Sequence, residues 1–248
     1  MESFRNRIDK NNIPKHVSII MDGNGRWAER HGKVRVAGHE HGVEAVRSVV
    51  EGAGEVGVKH LTLYAFSTEN WDRPKAEVDA LMGLLVQAIE SETDSLMKNN
   101  VRLTAIGNVE AMPTHVRENL NRCINRLQNN TGLNLILALS YSGQWDILNA
   151  AKTIAGEVLD QKISIDAVDR DLFDRYLSTA EVPHPELLIR TSGEYRISNF
   201  LLWQIAYSEL YFTPKLWPDF RKEDLFEAIV DYQNRERRFG KTREQITN

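Results

Sequence analysis

The chain has 248 residues, of which 42% are hydrophobic and 27% charged, with a formal net charge of −4. This composition is typical of a soluble globular protein, and the length suits one large α/β domain or two small ones. The negative net charge argues against a nucleic-acid partner, because proteins that bind nucleic acids usually carry a basic footprint. The single cysteine, Cys123, excludes an internal disulfide and a cysteine-based zinc site.

The sequence contains no pattern typical of a membrane or export segment. No apolar run approaches the ~20 residues needed to span a bilayer. Residues 1–10 are polar and charged, unlike the apolar core of a signal peptide. We therefore expect the protein to be cytoplasmic, and we expect flexible tails at residues 1–13 and 241–248.

Short aliphatic or β-branched runs alternate along the chain with longer stretches of helical periodicity. Strands are predicted at 17–21, 60–66, 101–106, 133–139, 187–190 and 210–213. Helices are predicted at 39–56, 76–98, 114–129, 144–160, 166–177, 199–207 and 221–238. This alternation predicts a single α/β domain whose central, mostly parallel sheet of about six strands is flanked by helices.

The first polar cluster directly follows the first predicted strand. Parallel sheets bind ligands outside the carboxyl ends of their strands, so this position is a candidate active site. Glycines let the backbone approach a ligand, Arg26 adds a fixed positive charge, and Asp22 is an acceptor suited to Mg²⁺. The same residue types also occur in ordinary turns, so the metal–diphosphate interpretation depends on the other clusters. The cluster consists of Asp22, Gly23, Asn24, Gly25, Arg26 and Trp27.

Two further polar clusters follow two further predicted strands. The second contains Ser67, Thr68, Glu69, Asn70, Trp71 and Arg73, which is more than a helix cap requires. The third runs from Arg190 to Asn199 and contains two arginines and several hydroxyls. Guanidinium groups bind phosphate oxygens in a bidentate manner, and an arginine that ends an apolar strand needs an anionic partner. The third cluster is therefore a candidate phosphate site.

The predicted helix 76–98 has more apolar surface than one core contact requires. Val78, Met82 and Ile89 lie on one face, while Leu81, Leu84 and Ala88 form an adjoining stripe. Packing on two sides would explain this pattern. A second explanation is that one stripe lines an apolar cavity for a long hydrophobic ligand.

Taken together, the three clusters resemble the signature motifs of the cis-prenyltransferase family, which includes the bacterial undecaprenyl diphosphate synthases. The matching segments are residues 16–28, 63–74 and 189–210, in family order, and the resemblance extends over roughly residues 14–240. It implies an α/β fold with an apolar tunnel. It also implies Mg²⁺-dependent condensation of isopentenyl diphosphate onto an allylic diphosphate, farnesyl diphosphate, which gives a long Z-polyprenyl diphosphate such as undecaprenyl diphosphate.

The resemblance also implies a role for individual residues. Asp22 and Glu209 would bind Mg²⁺, and Asp22 and Asn70 would be catalytic. The allylic diphosphate would contact Gly23, Asn24, Gly25, Arg26, Trp27, Arg35 and His39. The reacting carbons would be bordered by Ser67, Thr68, Glu69, Trp71 and Arg73. The isopentenyl diphosphate would be bound by Arg190, Arg196, Ile197 and Ser198. Arg238 and Gly240 would complete the partner's site in a homodimer. A lipid product implies peripheral membrane contact at the inner face.

Two other functions are each suggested by part of the sequence. A catalytically silent family member would lack the aspartate and the arginines, whereas Asp22, Arg26, Arg190 and Arg196 are all present. A nucleotide-binding oxidoreductase is suggested only by Gly23-x-Gly25-x-x-Ala28. That fingerprint requires an acidic residue at the end of a second strand ~20 residues later, whereas the second predicted strand ends only at residue 66. One departure from the family pattern is Tyr195, where many bacterial relatives have histidine.

Overall fold

The computed structural model describes residues 3–237. Within that range the chain forms six strands and seven α-helices. In chain order these are β1 (His16–Ile20), α1 (Asn24–Arg30), α2 (Arg35–Val56), β2 (His60–Ser67), α3 (Lys75–Lys98), β3 (Arg102–Ile106), α4 (Thr114–Leu127), β4 (Asn134–Tyr141), α5 (Gly143–Leu159), α6 (Arg170–Tyr176), β5 (Leu187–Arg190), β6 (Glu209–Phe212) and α7 (Lys222–Gln233).

The strands form one sheet in the order β3-β4-β2-β1-β5-β6, and every neighbouring pair is parallel. The predicted fold class, a single α/β domain with a parallel sheet of about six strands, is confirmed. Strands β2, β1 and β5 are neighbours, so their carboxyl ends meet at one edge of the sheet. The three polar clusters follow these three strands.

The core lies on both faces of the sheet, as expected for parallel strands covered by helices. On one face, side chains such as Val17, Leu61 and Leu135 form a large buried cluster with residues of α2, α3, α4 and α7. On the other face, Ile20 and Leu188 pack against Phe200 and neighbouring residues. Every residue of β1 and β5 is buried, which fixes the rim where the clusters lie.

Beside the clusters, one predicted helix is absent from the described structure and one helix was missed. Residues 199–207 form turns, because Ser198, Asn199 and Leu201 have φ values of +46°, +59° and +48°. Left-handed residues of this kind are incompatible with a right-handed α-helix. Conversely, α1 occupies residues for which no helix was predicted.

The N-terminal segment makes more contacts than a flexible tail would, whereas the tail expected at 241–248 lies outside the described residues. From residue 3 onward the N-terminal segment is held against α7, with Ser3 Oγ donating to Glu223 Oε1 at 2.8 Å. Gln233 Nε2 donates to the backbone oxygens of Asp9 and Asn12, at 2.8 and 2.9 Å. Helix α7 ends at Gln233 rather than at 238. Of the helices in the described range, none combines the length and apolar character required to cross a bilayer.

Candidate active site

Asp22 and Arg190 form the centre of the site. Arg190 is the last residue of β5, is 3% exposed, and places Nη2 2.9 Å from Oδ2 of Asp22. Asp22 follows β1 and is anchored by Thr191, whose Oγ1 donates to the Asp22 carbonyl at 2.6 Å. The parallel pairing of β1 with β5 therefore fixes the spacing between the carboxylate and the guanidinium.

The charge state of Asp22 follows from its neighbours. Burial raises the pKa of this carboxyl, but hydrogen bonds from Arg190 and Ser192 and the charges of Arg190 and Arg26 outweigh burial. The pKa is therefore lower than its ordinary value, and the carboxylate stays ionised at neutral pH. An ionised, partly exposed carboxylate is able to bind a divalent cation.

Arg26 extends the cluster from the next element. It lies on α1, one turn after Asp22, and its Nη2 is 3.3 Å from Asp22 Oδ2. Its Nη2 also donates to Ser192 Oγ at 2.6 Å, and its Nη1 pairs with Glu194 Oε1 at 3.1 Å. Glu194 also pairs with Arg196. Two carboxylates, Asp22 and Glu194, thus hold three arginines together.

Glycines determine how closely α1 approaches its neighbours. Gly23 has a φ of +110°, which lets the chain turn from β1 into α1. On α2, a Cβ at Gly38 would lie 2.0 Å from the Asn24 carbonyl oxygen. The side-chain oxygen of Asn24 is buried close to Gly42 of α2, without a hydrogen-bond partner among the described residues.

The second cluster forms a 3-10 turn, Thr68–Asp72, directly after β2. Asn70 Oδ1 accepts a hydrogen bond from the Ser67 backbone N–H at 3.1 Å, as in a capping box. Trp71 Nε1 donates to Ser140 Oγ at 2.9 Å, and Asn199 Nδ2 donates to Glu69 Oε1 at 2.8 Å. The bond between Asn199 and Glu69 joins the second cluster to the third.

Arg35 and His39 lie on α2, near Arg73, the residue of the second cluster that follows the 3-10 turn and precedes α3. Glu77 Oε1 is 3.1 Å from Arg35 Nε and 3.0 Å from Arg73 Nη1. Burial, followed by the charges of Arg73 and Arg35, lowers the pKa of His39 to about 4. His39 is therefore neutral at pH 7. Glu77 was missed in the sequence, although a carboxylate four residues after Arg73 predicts an ion pair on a helix.

An apolar cavity of about 240 Å³ adjoins the polar clusters. Asn24, His39, Asn70 and Arg73 line its polar end. Its apolar lining includes Leu63 and Ala65 of β2, Leu81, Leu84, Leu85, Ala88 and Ile89 of α3, and Leu135 and Leu137 of β4. The two-sided apolar surface of α3 thus serves both the core and this cavity. The long tunnel expected from the sequence stays a prediction.

Some predicted site residues lie elsewhere. Glu209 begins β6, at the amino edge of the sheet, and pairs with Arg235 at 3.1 Å, so one chain does not bring it to Asp22. Trp27 is buried and donates from Nε1 to Asp219 at 2.8 Å, which makes it a packing residue. Arg238 and Gly240 lie outside the described residues.

The remaining predicted residues surround the Asp22–Arg190 pair. Arg190 Nη1 donates to Ser198 Oγ at 2.6 Å and also to the Arg196 carbonyl. Ile197 packs against the second buried cluster. Tyr195, the departure from the family pattern, is 82% exposed, with its ring 5.3 Å from that of Phe212. Ser192 and Glu194 were overlooked individually, although both lie inside the third cluster.

Comparison with known proteins identifies similar sequences and structures. The family model for undecaprenyl diphosphate synthase matches residues 20–240. An isoprenyl transferase from Chlorobaculum tepidum is 53% identical, over 94% of this chain and 88% of its own length. A ditrans,polycis-undecaprenyl-diphosphate synthase ((2E,6E)-farnesyl-diphosphate specific) from Pasteurella multocida is 52% identical, over 94% and 97%.

The fold has a similarly close structural relative. The crystal structure of lavandulyl diphosphate synthase from Lavandula x intermedia, in complex with dimethylallyl diphosphate, superposes with a TM-score of 0.91. That protein is 37% identical, and the match covers 93% of this chain and all of the solved chain.

Proposed function

Because the chain belongs to the undecaprenyl diphosphate synthase family of cis-prenyltransferases, we propose that it elongates farnesyl diphosphate with isopentenyl diphosphate. The product would be a long Z-polyprenyl diphosphate, undecaprenyl diphosphate, which serves as a carrier lipid in cell-wall synthesis. The observation that carries this proposal is that Asp22 and Arg26, which form ion pairs with each other and through Asp22 with Arg190, flank Asn24, a residue at the polar end of an apolar cavity. In a prenyl diphosphate, the diphosphate suits the arginines and the hydrocarbon tail suits the apolar cavity.

The allylic diphosphate is assigned to the side of the cluster that borders the cavity. Asn24, His39 and Arg73 line the polar end of that cavity, and Arg35 reaches Arg73 through their shared partner Glu77. With the diphosphate there, its hydrocarbon tail enters between α3 and the sheet. Burial of apolar carbon favours this orientation, because each methylene removed from water contributes about 0.8 kcal/mol.

Isopentenyl diphosphate is assigned to Arg190, Arg196 and Ser198. Arg190 is buried, and its Nε has no hydrogen-bond partner among the described residues. A phosphate oxygen would supply the missing acceptor. Glu194 pairs with Arg26 and Arg196 at present, and a bound diphosphate would take over part of that role.

The residues fit Mg²⁺ at one position. Mg²⁺ in phosphate sites is usually bound by one or two carboxylates together with substrate oxygens and water. Asp22 supplies one ionised carboxylate beside the cluster, whereas Glu209 is committed to Arg235 at the other edge of the sheet. Bound Mg²⁺ would neutralise charge on the departing diphosphate. The metal ligand that this chain offers is therefore Asp22.

The side chains then serve the condensation as follows. The allylic carbon–oxygen bond breaks, and its electron pair leaves with a diphosphate that Arg26 stabilises. The double bond of isopentenyl diphosphate attacks the allylic carbon, and the new product loses a proton to the released diphosphate. Asn70 orients the diphosphate that takes the proton and does not take the proton itself, because an amide is a poor base.

Homodimer formation and membrane contact are further parts of the proposal. Strand β6 is the edge of the sheet, and exposed edges are usually covered. The exposed aromatic rings of Tyr195 and Tyr207 supply apolar surface that a second copy could cover. A lipid product must also leave for a bilayer, which supports a cytoplasmic enzyme that contacts the membrane peripherally.

Incubation with farnesyl diphosphate and radiolabelled isopentenyl diphosphate, with and without Mg²⁺, tests the function. We expect Mg²⁺-dependent, long-chain products whose new double bonds are Z. Absence of elongation, or products with only E bonds, would contradict the proposal.

A further inference from the structure

A second cavity, the far cavity, lies behind the apolar cavity. It has a volume of about 420 Å³ and reaches Asn99, Asn100 and Gly132, in the segments that lead into β3 and β4. It therefore lies at the end of the sheet where β3 and β4 begin, opposite the polar clusters that follow β1, β2 and β5. The two cavities share four lining residues, here called the wall: Val46, Glu92, Leu96 and Leu135.

An ion pair joins α2 and α3 at the wall. Arg47 of α2 donates from Nε to Glu92 Oε2 at 3.0 Å, and from Nη2 to the other carboxylate oxygen. The Glu92 side chain is 15% exposed and that of Arg47 52% exposed. Such a pair contributes little net stability, because one partner stays largely in water. It can therefore open and close.

The pair is coupled to the apolar part of the wall through helix geometry. Val46 precedes Arg47 on α2, and Leu96 lies one turn after Glu92 on the same face of α3. Any separation of the two helices at the ion pair therefore moves Val46 and Leu96 apart. The wall opens or closes with the pair.

A second ion pair joins the same two helices at the other end of the apolar cavity. Arg35 of α2 and Glu77 of α3 are 3.1 Å apart, beside the diphosphate cluster. The two pairs are separated by about 18 Å along α2 and about 22 Å along α3. Ion pairs thus connect α2 and α3 at both ends of the apolar cavity.

We propose that the Arg47–Glu92 pair is a latch between the two cavities and that it sets the length of the prenyl product. This inference rests on the proposed function and names residues that determine its specificity. The apolar cavity, at about 240 Å³, is smaller than the roughly 300–1,000 Å³ of a pocket for a drug-sized ligand. A polyprenyl chain fills it early and then meets the wall. Further growth requires entry into the far cavity.

The first test compares product lengths. Glu92→Gln keeps the size of the side chain and removes its charge, so we expect the average product to lengthen by at least one isoprene unit. Arg47→Gln should act in the same direction. Val46→Phe fills the wall and should shorten the product.

Asp94→Asn is the matched control. Asp94 also lies on α3 and pairs with an arginine of the next helix, Arg126, at 2.5 Å, but it lines neither cavity. Its product lengths should equal those of the unmodified chain. Unchanged lengths in Glu92→Gln, or equal changes in Glu92→Gln and Asp94→Asn, would overturn the proposal.

A binding measurement keeps the test independent of turnover. Straight-chain alkyl phosphates of increasing length are titrated into the protein. We expect affinity to stop rising at a certain length in the unmodified chain and at a longer one in Glu92→Gln. If no elongation occurs at all, the proposed function fails, while the alkyl series still decides whether the latch limits chain length. Identical breaks in both proteins would overturn the latch.

Discussion

Arg190 and Asp22 lie 168 positions apart in the sequence, yet the guanidinium Nη2 is 2.9 Å from the carboxylate Oδ2. Arg190 also donates from Nη1 to Ser198 Oγ at 2.6 Å and is almost fully buried. Burying a cation is costly unless it is paired. The pairing of β1 with β5 thus places the Arg190 guanidinium at the rim of the sheet. Its charge is paired with that of Asp22, but its Nε has no hydrogen-bond partner among the described residues.

We expect Arg190→Met and Arg190→Lys to raise the KM for isopentenyl diphosphate. A loss of about 10- to 100-fold in kcat/KM is expected, since each charge-assisted hydrogen bond contributes about 1.5–3 kcal/mol. Lysine keeps the charge but lacks the planar fork, so it should restore only part of the loss. Arg102→Met, at the amino edge of the sheet, is the control in steady-state kinetics. An unchanged KM in both Arg190 variants would contradict the assignment.

His39 should report on anion binding. Burial and the charges of Arg73 and Arg35 lower the pKa of its imidazole to about 4. An added anion offsets the positive charges, so inorganic pyrophosphate should raise this pKa. NMR titration of the imidazole resonances, with and without pyrophosphate, measures the change. The resonances of His115, on the exposed side of α4, should not respond. A His39 titration that is unaffected by pyrophosphate would place the anion elsewhere.

Acid should weaken the fold through His16. This residue is buried at the start of β1, with Nδ1 2.6 Å from the Pro183 carbonyl and Nε2 2.7 Å from Thr62 Oγ1. Burial is the main cause that lowers its pKa from 6.5 to about 4. Between these values the unfolded chain binds the proton and the folded chain does not. The contribution of neutral His16 to the free energy of unfolding is therefore fully present above pH 6.5, and it is lost as the pH drops towards 4.

The size of this effect is on the order of 3 kcal/mol. Urea unfolding at about pH 7.5 and about pH 5 should show a smaller difference in His16→Gln than in the unmodified chain. His115→Gln serves as the control and should behave like the unmodified chain. An equal loss of stability in His16→Gln would show that another group is responsible.

Asn70 tests whether an amide donor matters for the reaction. Its Oδ1 already caps the 3-10 turn by accepting from the Ser67 N–H. Asn70→Asp keeps that acceptor and removes the amide donors, whereas Asn70→Ala removes both. We expect both variants to slow single-turnover condensation, with Asn70→Asp retaining the stability of the turn. Unchanged single-turnover rates in both would exclude a role for Asn70.

Most of the fold was predictable because strands and helices leave distinct hydrophobic patterns. All six strands were located to within two residues, since each is a short apolar run between polar segments. The meeting of three clusters at one rim followed from strand direction alone. The strand order β2-β1-β5, which makes the clusters adjacent, required the structure.

The errors arose where local sequence resembles one structure and tertiary contacts select another. Residues 199–207 are apolar enough for a helix, but Asn199 adopts a left-handed conformation, and its Oδ1 accepts from the Gln144 N–H at 3.0 Å. Within this chain Glu209 pairs with Arg235, so the Mg²⁺ role that the resemblance gave it stays a prediction.

The most direct test of the account is turnover by Asp22→Asn. The variant keeps the size of the side chain but loses the charge that pairs with Arg190 and Arg26 and would bind Mg²⁺. Asp160→Asn, which breaks an exposed pair with Lys162, is the control. Incorporation of isopentenyl diphosphate should fall by at least ~100-fold in Asp22→Asn, a scale expected when a group that stabilises the transition state is lost. Circular dichroism should show an intact fold. Incorporation equal to that of the control would contradict the account.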